Sequence, residues 1–279
     1  MSTYHEPLAL VIISSISLGF AAIVALWIAG DIVLRRGWRS MMAVMIPVYI
    51  INALYLWPIT LWTYLKYGRP AAPEGQSTAK ATAAGEAEEG SADSPDDSHS
   101  HLRTENGMTQ HQHDHHRHHH HHDAHAAQRP MFASATIAVC HCGAGCVLGD
   151  IVGEWLVWGT GATLGLPPRA LWAEFLVDFG FAFAFGIVFQ YFSIAPMEGK
   201  YGPQIIYRAL KADALSLLFF EIGLFGWMAI FQVAIFNWNL PMNTVTYWWM
   251  MQIGMFLGHW TGVPINWWLI KTGVKVPCA

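Results

Sequence analysis

The stretch that decides the fold runs from Met131 to Thr160 and reads MFASATIAVCHCGAGCVLGDIVGEWLVWGT. It is long enough and apolar enough to cross a bilayer as a helix. Thiols, an imidazole and carboxylates are costly or reactive groups in hydrocarbon, so their presence predicts a functional site inside the membrane. The stretch holds six such residues, Cys140, His141, Cys142, Cys146, Asp150 and Glu154.

The composition of the whole chain is that of a membrane protein. Of its 279 residues, 54% are hydrophobic and 12% are charged, whereas a soluble domain has about 25% charged residues. The 14 tryptophans fall mostly near the ends of apolar runs, as in an interfacial aromatic belt. The net charge of −4 comes without a basic patch, so we expect a lipid bilayer and no nucleic acid as partner.

The apolar runs predict an all-α, polytopic membrane protein with six transmembrane helices. Pro47 and Pro58 fall inside the second run and predict a kink there. A loop rich in Ala, Glu and Ser and then in His divides the chain and is predicted to be disordered. The predicted units are a two-helix unit at 1–65, the loop at 66–130 and a four-helix core at 131–275. The six runs are 8–30, 41–65, 131–159, 171–194, 210–236 and 243–270.

Six crossings would place both termini and the loop on one side of the membrane. By that count eight near-membrane bases lie on the loop side and four on the other, among them Arg35, Arg36 and Arg39. The positive-inside rule then favours a cytoplasmic loop and cytoplasmic termini, although the dense arginine cluster argues the other way.

On a regular helix, the third run presents a stripe of chemistry beside a ladder of glycines. Residues four apart share a face, which predicts a stripe of Cys142, Cys146, Asp150 and Glu154. A second ladder, Gly145, Gly149 and Gly153, predicts close packing of another helix; a homo-oligomer or a partner helix is expected at this face. Residues two apart point away from each other, so Cys140 and Cys142 can bind one ion only if the helix unwinds at the intervening glycines.

Further acids extend the predicted ion path into the next two runs. Glu174, Asp178, Asp213 and Glu221 join Asp150 and Glu154, and each acid costs about 2.5–3.5 kcal/mol at a helix centre. Lys211 is the one basic residue close in sequence to these acids. Unpaired acids would therefore be protonated, hydrated or compensated by a bound cation.

Soft and imidazole donors appear in two other places. The last run offers Met251, Met255 and His259 at four-residue spacing, and thioether, thiolate and imidazole ligands suit Cu, Zn, Ni and Co. His-rich tracts bind metal, and twelve histidines lie between His99 and His125. Ten of them form the predicted loop site: His111, His113, His115, His116, His118, His119, His120, His121, His122 and His125.

The stretches CHCGAGCVLGDIVGEW, ALWAEFLVDFGFAFAFGIVFQYFSIAPM, KADALSLLFFEIGLFGWM and YWWMMQIGMFLGHWTGVPINWWLIKTGVK resemble a family of prokaryotic membrane proteins, domain of unknown function 4396. The resemblance covers about residues 131–275. It implies a bacterial or archaeal inner membrane and carries over no functional residues. The first two runs and the loop look like additions to that core.

These observations favour a transition-metal permease or metal-binding membrane component over an enzyme. Cys140, His141, Cys142 and Cys146 would form the central soft site for a transition-metal ion, Cu or Zn, with Ni and Co as alternatives. A membrane thiol redox protein remains an alternative, because thiolates beside a histidine are reactive. A scaffold subunit that packs through the glycine ladder is a third. Phosphate-binding loops and hydrolase motifs are absent from the sequence.

Overall fold

The computed structural model describes residues 5–37, 41–69, 129–161 and 171–276. No strand occurs among them, and the all-α prediction is confirmed. The six α-helices are α1 Leu8–Gly30, α2 Met45–Thr63, α3 Met131–Thr160, α4 Leu171–Glu198, α5 Pro203–Ala229 and α6 Val245–Lys271. π-helical turns extend α1 over Asp31–Arg36, α2 over Tyr64–Gly68 and α5 over Ile230–Ile235. The predicted histidine-loop site lies outside the described residues.

Helices α3 to α6 form a four-helix bundle in which each helix packs against the next and α6 closes back onto α3. Helix α3 is the most buried element, since every residue from Ala133 to Val147 is buried. Helix α1 lies on the outside with a continuous apolar surface, and Leu26 there is 73% exposed. A buried, site-bearing helix inside and an apolar surface outside is the arrangement expected of a protein dissolved in lipid.

The glycine ladder of α3 is what brings α4 close. A Cβ on any of its glycines would lie 2.2–2.5 Å from an atom of α4. Helix–helix packing through small residues is therefore confirmed. The neighbour in this structure is α4, a helix of the same chain; a homo-oligomer or a partner helix at this face stays a prediction. The antiparallel contacts pair Gly145 with Gly186, Gly149 with Ala182 and Gly153 with Asp178.

Helix α2 does not run straight. The rings of Tyr49 and Tyr64 lie 5.3 Å apart, and a Cβ on Gly68 would lie 2.1 Å from the Tyr49 hydroxyl. In a straight helix, residues fifteen apart would be separated by about 22 Å. The backbone leaves helical geometry at Leu56, with φ −121° and ψ 35°. Helix α2 is therefore a folded pair of arms, 45–55 and 57–68, which we call the re-entrant hairpin.

Pro58 explains where the hairpin turns. Proline has no N–H and cannot hydrogen-bond the carbonyl four residues earlier, here that of Leu54. The amide Nε2 of Gln252 on α6 donates to that carbonyl oxygen instead, at 2.6 Å. Non-helical backbone inside a membrane protein is tolerated when neighbouring helices satisfy the freed groups. The kink predicted from Pro58 is a full reversal.

The re-entrant hairpin changes the topology predicted for the chain. Phe20 stacks on Trp57, and Trp27 meets Tyr64 edge-on, so α1 runs parallel to the second arm. Asp31 accepts two hydrogen bonds from Arg69, both of 2.9 Å; they raise the pKa of the Arg69 guanidinium, which keeps this pair charged.

One end of the bundle, which we call the loop end, therefore holds Asp31, Arg69, the start of α3 and the end of α6. The start of α1 lies at the opposite end, where Thr246 at the start of α6 donates a hydrogen bond to Glu6. The two ends of the described chain thus lie at opposite ends of the bundle, whereas six crossings predict both termini on one side.

Among the described residues, five segments could cross a membrane by length and hydropathy: Leu8–Arg36, Met45–Gly68, Met131–Thr160, Leu171–Glu198 and Pro203–Ile235. Helix α6 is as long as its neighbours but rich in Trp and polar side chains. Because Met45–Gly68 folds back, it returns to the end where it began. Five helices run from end to end of the bundle, and the sixth predicted crossing is a hairpin that enters and leaves at the loop end.

Candidate functional site

Four carboxyls from three helices meet in the interior of the bundle. Asp150 of α3 lies within electrostatic reach of Glu154, Asp178 of α4 and Glu221 of α5. All four side chains are at most 6% exposed. Both oxygens of Asp150, Asp178 and Glu221 and one oxygen of Glu154 lack a hydrogen-bond partner among the described residues. Buried carboxyls in this state must hold protons or a bound cation.

The acids continue to the end opposite the loop end. Tyr247 of α6 hydrogen-bonds Glu154, and Glu174 at the start of α4 lies within electrostatic reach of Glu154 and Asp178. The structure therefore brings together five of the six predicted path acids. The exception is Asp213, which lies nearer the loop end.

The thiols divide between the faces of α3. The helix is continuous from Met131 to Thr160, so the unwinding that Cys140 and Cys142 would need to share one ion does not occur. Cys146 lies beside Glu221, on the same stripe as Asp150, as predicted. The Cys142 thiol lies 2.9 Å from the Ser216 hydroxyl of α5. His141 instead faces Phe189 of α4 in an edge-on ring contact.

A buried hydrogen-bond network leads from Cys142 towards the loop end. Asn266 of α6 donates from Nδ2 to the Ser216 hydroxyl at 2.5 Å. The ammonium of Lys275 donates to Asn266 Oδ1 at 2.9 Å and to Asp213 Oδ1 at 2.6 Å. The expected basic neighbour of the acids, Lys211, lines a surface cavity instead. By its sequence, Lys275 is only one of the eight near-membrane bases on the loop side, and nothing in its sequence context marks it as buried.

Together these groups form a polar path from one end of the bundle to the other. On α3 alone, Cys142 and Glu154 are separated by about 18 Å at the usual rise per residue. Side chains of α4, α5 and α6, together with Lys275 after α6, complete it at both ends. From the loop end, the polar path comprises Lys275, Asp213, Asn266, Ser216, Cys142, Cys146, Glu221, Asp150, Asp178, Glu154, Tyr247 and Glu174.

The tip of the re-entrant hairpin lies against the thiols. Asn52 donates from Nδ2 to the Cys140 carbonyl at 2.6 Å and accepts a hydrogen bond from the Tyr55 hydroxyl. That hydroxyl would lie 2.5 Å from a Cβ on Gly143 and is within electrostatic reach of all three thiols of α3. Sequence reasoning missed both residues, although a polar Asn inside an apolar run is itself a signal.

The remaining predicted donors do not join this cluster. Met251 and Met255 pack in the apolar core and line a groove of about 450 Å³ with Tyr55 and Trp155. His259 is buried, and its Nδ1 has no hydrogen-bond partner among the described residues. Within the described ranges, no group of three or more His, Cys, Asp or Glu side chains has the spacing to hold a metal ion.

The helical bundle and its interior path define an all-helical protein whose helices are long and apolar enough for a membrane. The chain belongs to the family described as Domain of unknown function (DUF4396), whose model matches residues 131–275. The match covers the four-helix bundle and ends at Lys275. No curated protein and no solved structure matches the chain significantly.

Proposed function

We propose that this chain is a membrane permease for cations, and that a transition-metal ion is its cargo. The observation that carries the proposal is the set of buried carboxyl oxygens of Asp150, Asp178 and Glu221, which lack partners within the described residues. Groups of this kind in a membrane protein mark ion or proton pathways. A cation moving between the helices would supply the positive charge that these acids lack.

The thiols favour a soft or borderline metal ion over Na⁺ or Ca²⁺. Cys142 and Cys146 lie on the same stripe of α3 as Asp150, so an ion moving along that stripe would meet sulfur and then oxygen ligands. Such mixed donors suit Zn and Cu. Several weak ion-binding sites along the path fit a protein that must release its cargo better than one closed four-ligand site does.

The re-entrant hairpin supports transport over a purely structural role. Helical hairpins that end inside the membrane are tolerated where they are buried in protein or line a cavity, and transporters build midplane sites from them. The first arm ends near Tyr55 with its carboxyl end, the negative pole of a helix, near the thiols. That polarity favours a cation at the centre of the bundle.

The charge distribution supports one orientation. All ten lysines and arginines of the described residues lie at the loop end. Arg35 and Arg36 are among them and form ion pairs with Asp31. The positive-inside rule then places the loop end in the cytoplasm of a prokaryotic inner membrane and the start of α1 outside. Five crossings and one re-entrant hairpin are part of this proposal.

The test is metal uptake by the full chain in proteoliposomes, with Zn²⁺, Cu⁺, Ni²⁺ and Co²⁺ as cargo. Asp150→Asn and Asp178→Asn should each lower the initial rate by about tenfold or more, because each removes a charge that the moving cation requires. Glu198→Gln is the matched control, since this acid pairs with Arg208 near the surface of the loop end.

Wild-type uptake equal to that of empty liposomes for all four ions would overturn the proposal. A metal-independent proton flux that the Asp150 and Asp178 variants lose would replace the metal with protons as cargo.

A further inference from the structure

The loop end of the polar path contains a lysine ammonium where a transported cation would be expected. Lys275 is 1% exposed, although it follows the last helix. Its ammonium reaches Asp213 Oδ1 on α5 and Asn266 Oδ1 on α6. A fully buried ammonium is stable only with such oxygen partners. The same oxygens are the ligands that hard and borderline metal cations use in proteins.

A backbone turn at Gly273 directs the side chain of Lys275 into the bundle. Gly273 has a φ of +72°, the left-handed conformation that ends a helix. The amides of Val274 and Lys275 then both donate to the Leu269 carbonyl, at 3.0 and 3.1 Å. The turn folds the segment back over the end of α6, and the side chain of Lys275 enters between α5 and α6.

One carboxylate oxygen beyond those that bind the lysine faces the same place. Asp213 Oδ2 is buried and has no hydrogen-bond partner among the described residues. Asp213, Asn266 and Ser216 are each 0% exposed. When the lysine leaves, both oxygens of this carboxylate are free to bind a cation. Asn266 and Ser216 connect the site to the Cys142 thiol.

The pair lies next to the surface at the loop end. A cavity of about 520 Å³ is lined by Ala212, Val274 and Val276, the sequence neighbours of Asp213 and Lys275, together with Gln190 and Lys211. Water and ions in this cavity would therefore lie against the residues that adjoin Asp213 and Lys275 in the chain. The segment that carries the lysine forms part of the cavity wall.

We propose that Asp213 and Asn266, with the Ser216 hydroxyl beside them, form a cation-binding site at the loop end of the path, and that the ammonium of Lys275 occupies it as a built-in competitor. A divalent cation from the cavity binds there when the lysine side chain leaves. Lys275 thereby closes the path until a cation takes its place. This inference rests on the proposed function, because the site belongs to the same path, but its test does not require transport.

The test is equilibrium binding of Mn²⁺ to the full chain in detergent, with free Mn²⁺ measured by electron paramagnetic resonance. Mn²⁺ prefers oxygen ligands and binds histidine more weakly than the later metals do, so the His-rich loop, present in every variant, contributes a small common background. Lys275→Met should bind about one more Mn²⁺ per chain than the wild type. Lys275→Arg should show no gain, because a cation still occupies the site.

The double variant Lys275→Met/Asp213→Asn should lose the extra Mn²⁺, because the carboxylate that binds it is gone. Lys271→Met, an exposed lysine one turn away, is the matched control and should behave as the wild type. If Lys275→Met does not give a monodisperse protein, Lys275→Gln replaces it, since its amide still hydrogen-bonds Asp213 without the charge.

Equal Mn²⁺ binding by the wild type and the neutral lysine variant would overturn the site, as would an extra Mn²⁺ that survives the Asp213 substitution. If the wild type transports no metal but Lys275→Met binds the extra Mn²⁺, the binding site is supported and the proposed function is contradicted. If the wild type transports metal but Lys275→Met binds no extra Mn²⁺, the proposed function is supported and the binding site is contradicted.

Discussion

At the scale of single residues, the three thiols of α3 have different surroundings although they are neighbours in sequence. Cys142 lies in the network that leads through Ser216 to Lys275, and Cys146 lies beside Glu221. For Cys140, the backbone carbonyl rather than the thiol is engaged, by Asn52 of the re-entrant hairpin. A continuous helix separates residues two apart, so the cluster in the sequence is not one cluster in space.

We therefore expect Cys142→Ala to lower metal uptake in proteoliposomes by about tenfold, because the path loses a soft ligand, whereas Cys140→Ala should change it by less than about twofold. Cys142→Ser, which retains a hydrogen-bonding group for Ser216, separates loss of the ligand from loss of the network. Similar losses for Cys140→Ala and Cys142→Ala would contradict the assignment of the two thiols to different faces.

At the scale of elements, the α3–α4 contact depends on the absence of side chains at three positions. At Gly149 a Cβ would lie 2.2 Å from the backbone nitrogen of Ala182. The backbone of α4 cannot move away alone, because its next contacts on the ladder, at Gly186 and Asp178, hold it on both sides. The acid Asp178 is thus positioned over Asp150 by the same glycines that bring the helices together.

Gly149→Ala should lower the free energy of unfolding by about 1–3 kcal/mol, the usual cost of overpacking a tight interface. Gly159→Ala on the same helix is the matched control: a Cβ there meets no atom within 4 Å, and replacing a helical glycine stabilises by about 0.5–1 kcal/mol. The measurement is thermal unfolding of the purified protein in detergent. A Gly149→Ala protein as stable as the control would refute the close approach.

At the scale of the whole molecule, the reversal at Leu56 decides which residues face which side. It places Arg35 at the same end as Lys200 and leaves His5, near the start of α1, at the other end. A straight α2 would give the opposite assignment, with His5 beside Lys200 and Arg35 across the membrane. Accessibility from the two sides therefore distinguishes the two topologies.

We expect Arg35→Cys and Lys200→Cys to react with a membrane-impermeant maleimide from the same side, and His5→Cys only from the other. The assay compares intact cells with inverted vesicles, and the unsubstituted chain measures background from native cysteines, of which Cys140, Cys142 and Cys146 are buried. Labelling of His5→Cys and Lys200→Cys from one side would show that α2 crosses the bilayer.

Local patterns were sufficient for several predictions. Apolar runs of membrane length indicated an all-α protein, and the bounds of α3 and α4 follow almost directly from them. The glycine ladder and the stripe of Cys146, Asp150 and Glu154 depend only on the helical repeat, so both could be predicted. Acids in apolar runs are expensive wherever they occur, which is why sequence reasoning found five of the acids that the structure brings together.

What only the tertiary structure decided are the features that depend on contacts between distant residues. Pro58 has no N–H to donate to the Leu54 carbonyl. The sharp turn at Leu56 is stable because the side-chain amide of Gln252, far along the chain, donates to that carbonyl instead. Lys275 is buried because Asp213 and Asn266 meet at the point that the Gly273 turn allows it to reach. Sequence alone determined which residues had to avoid lipid; tertiary packing chose their partners, because a polar group in hydrocarbon is satisfied by whatever the fold brings beside it.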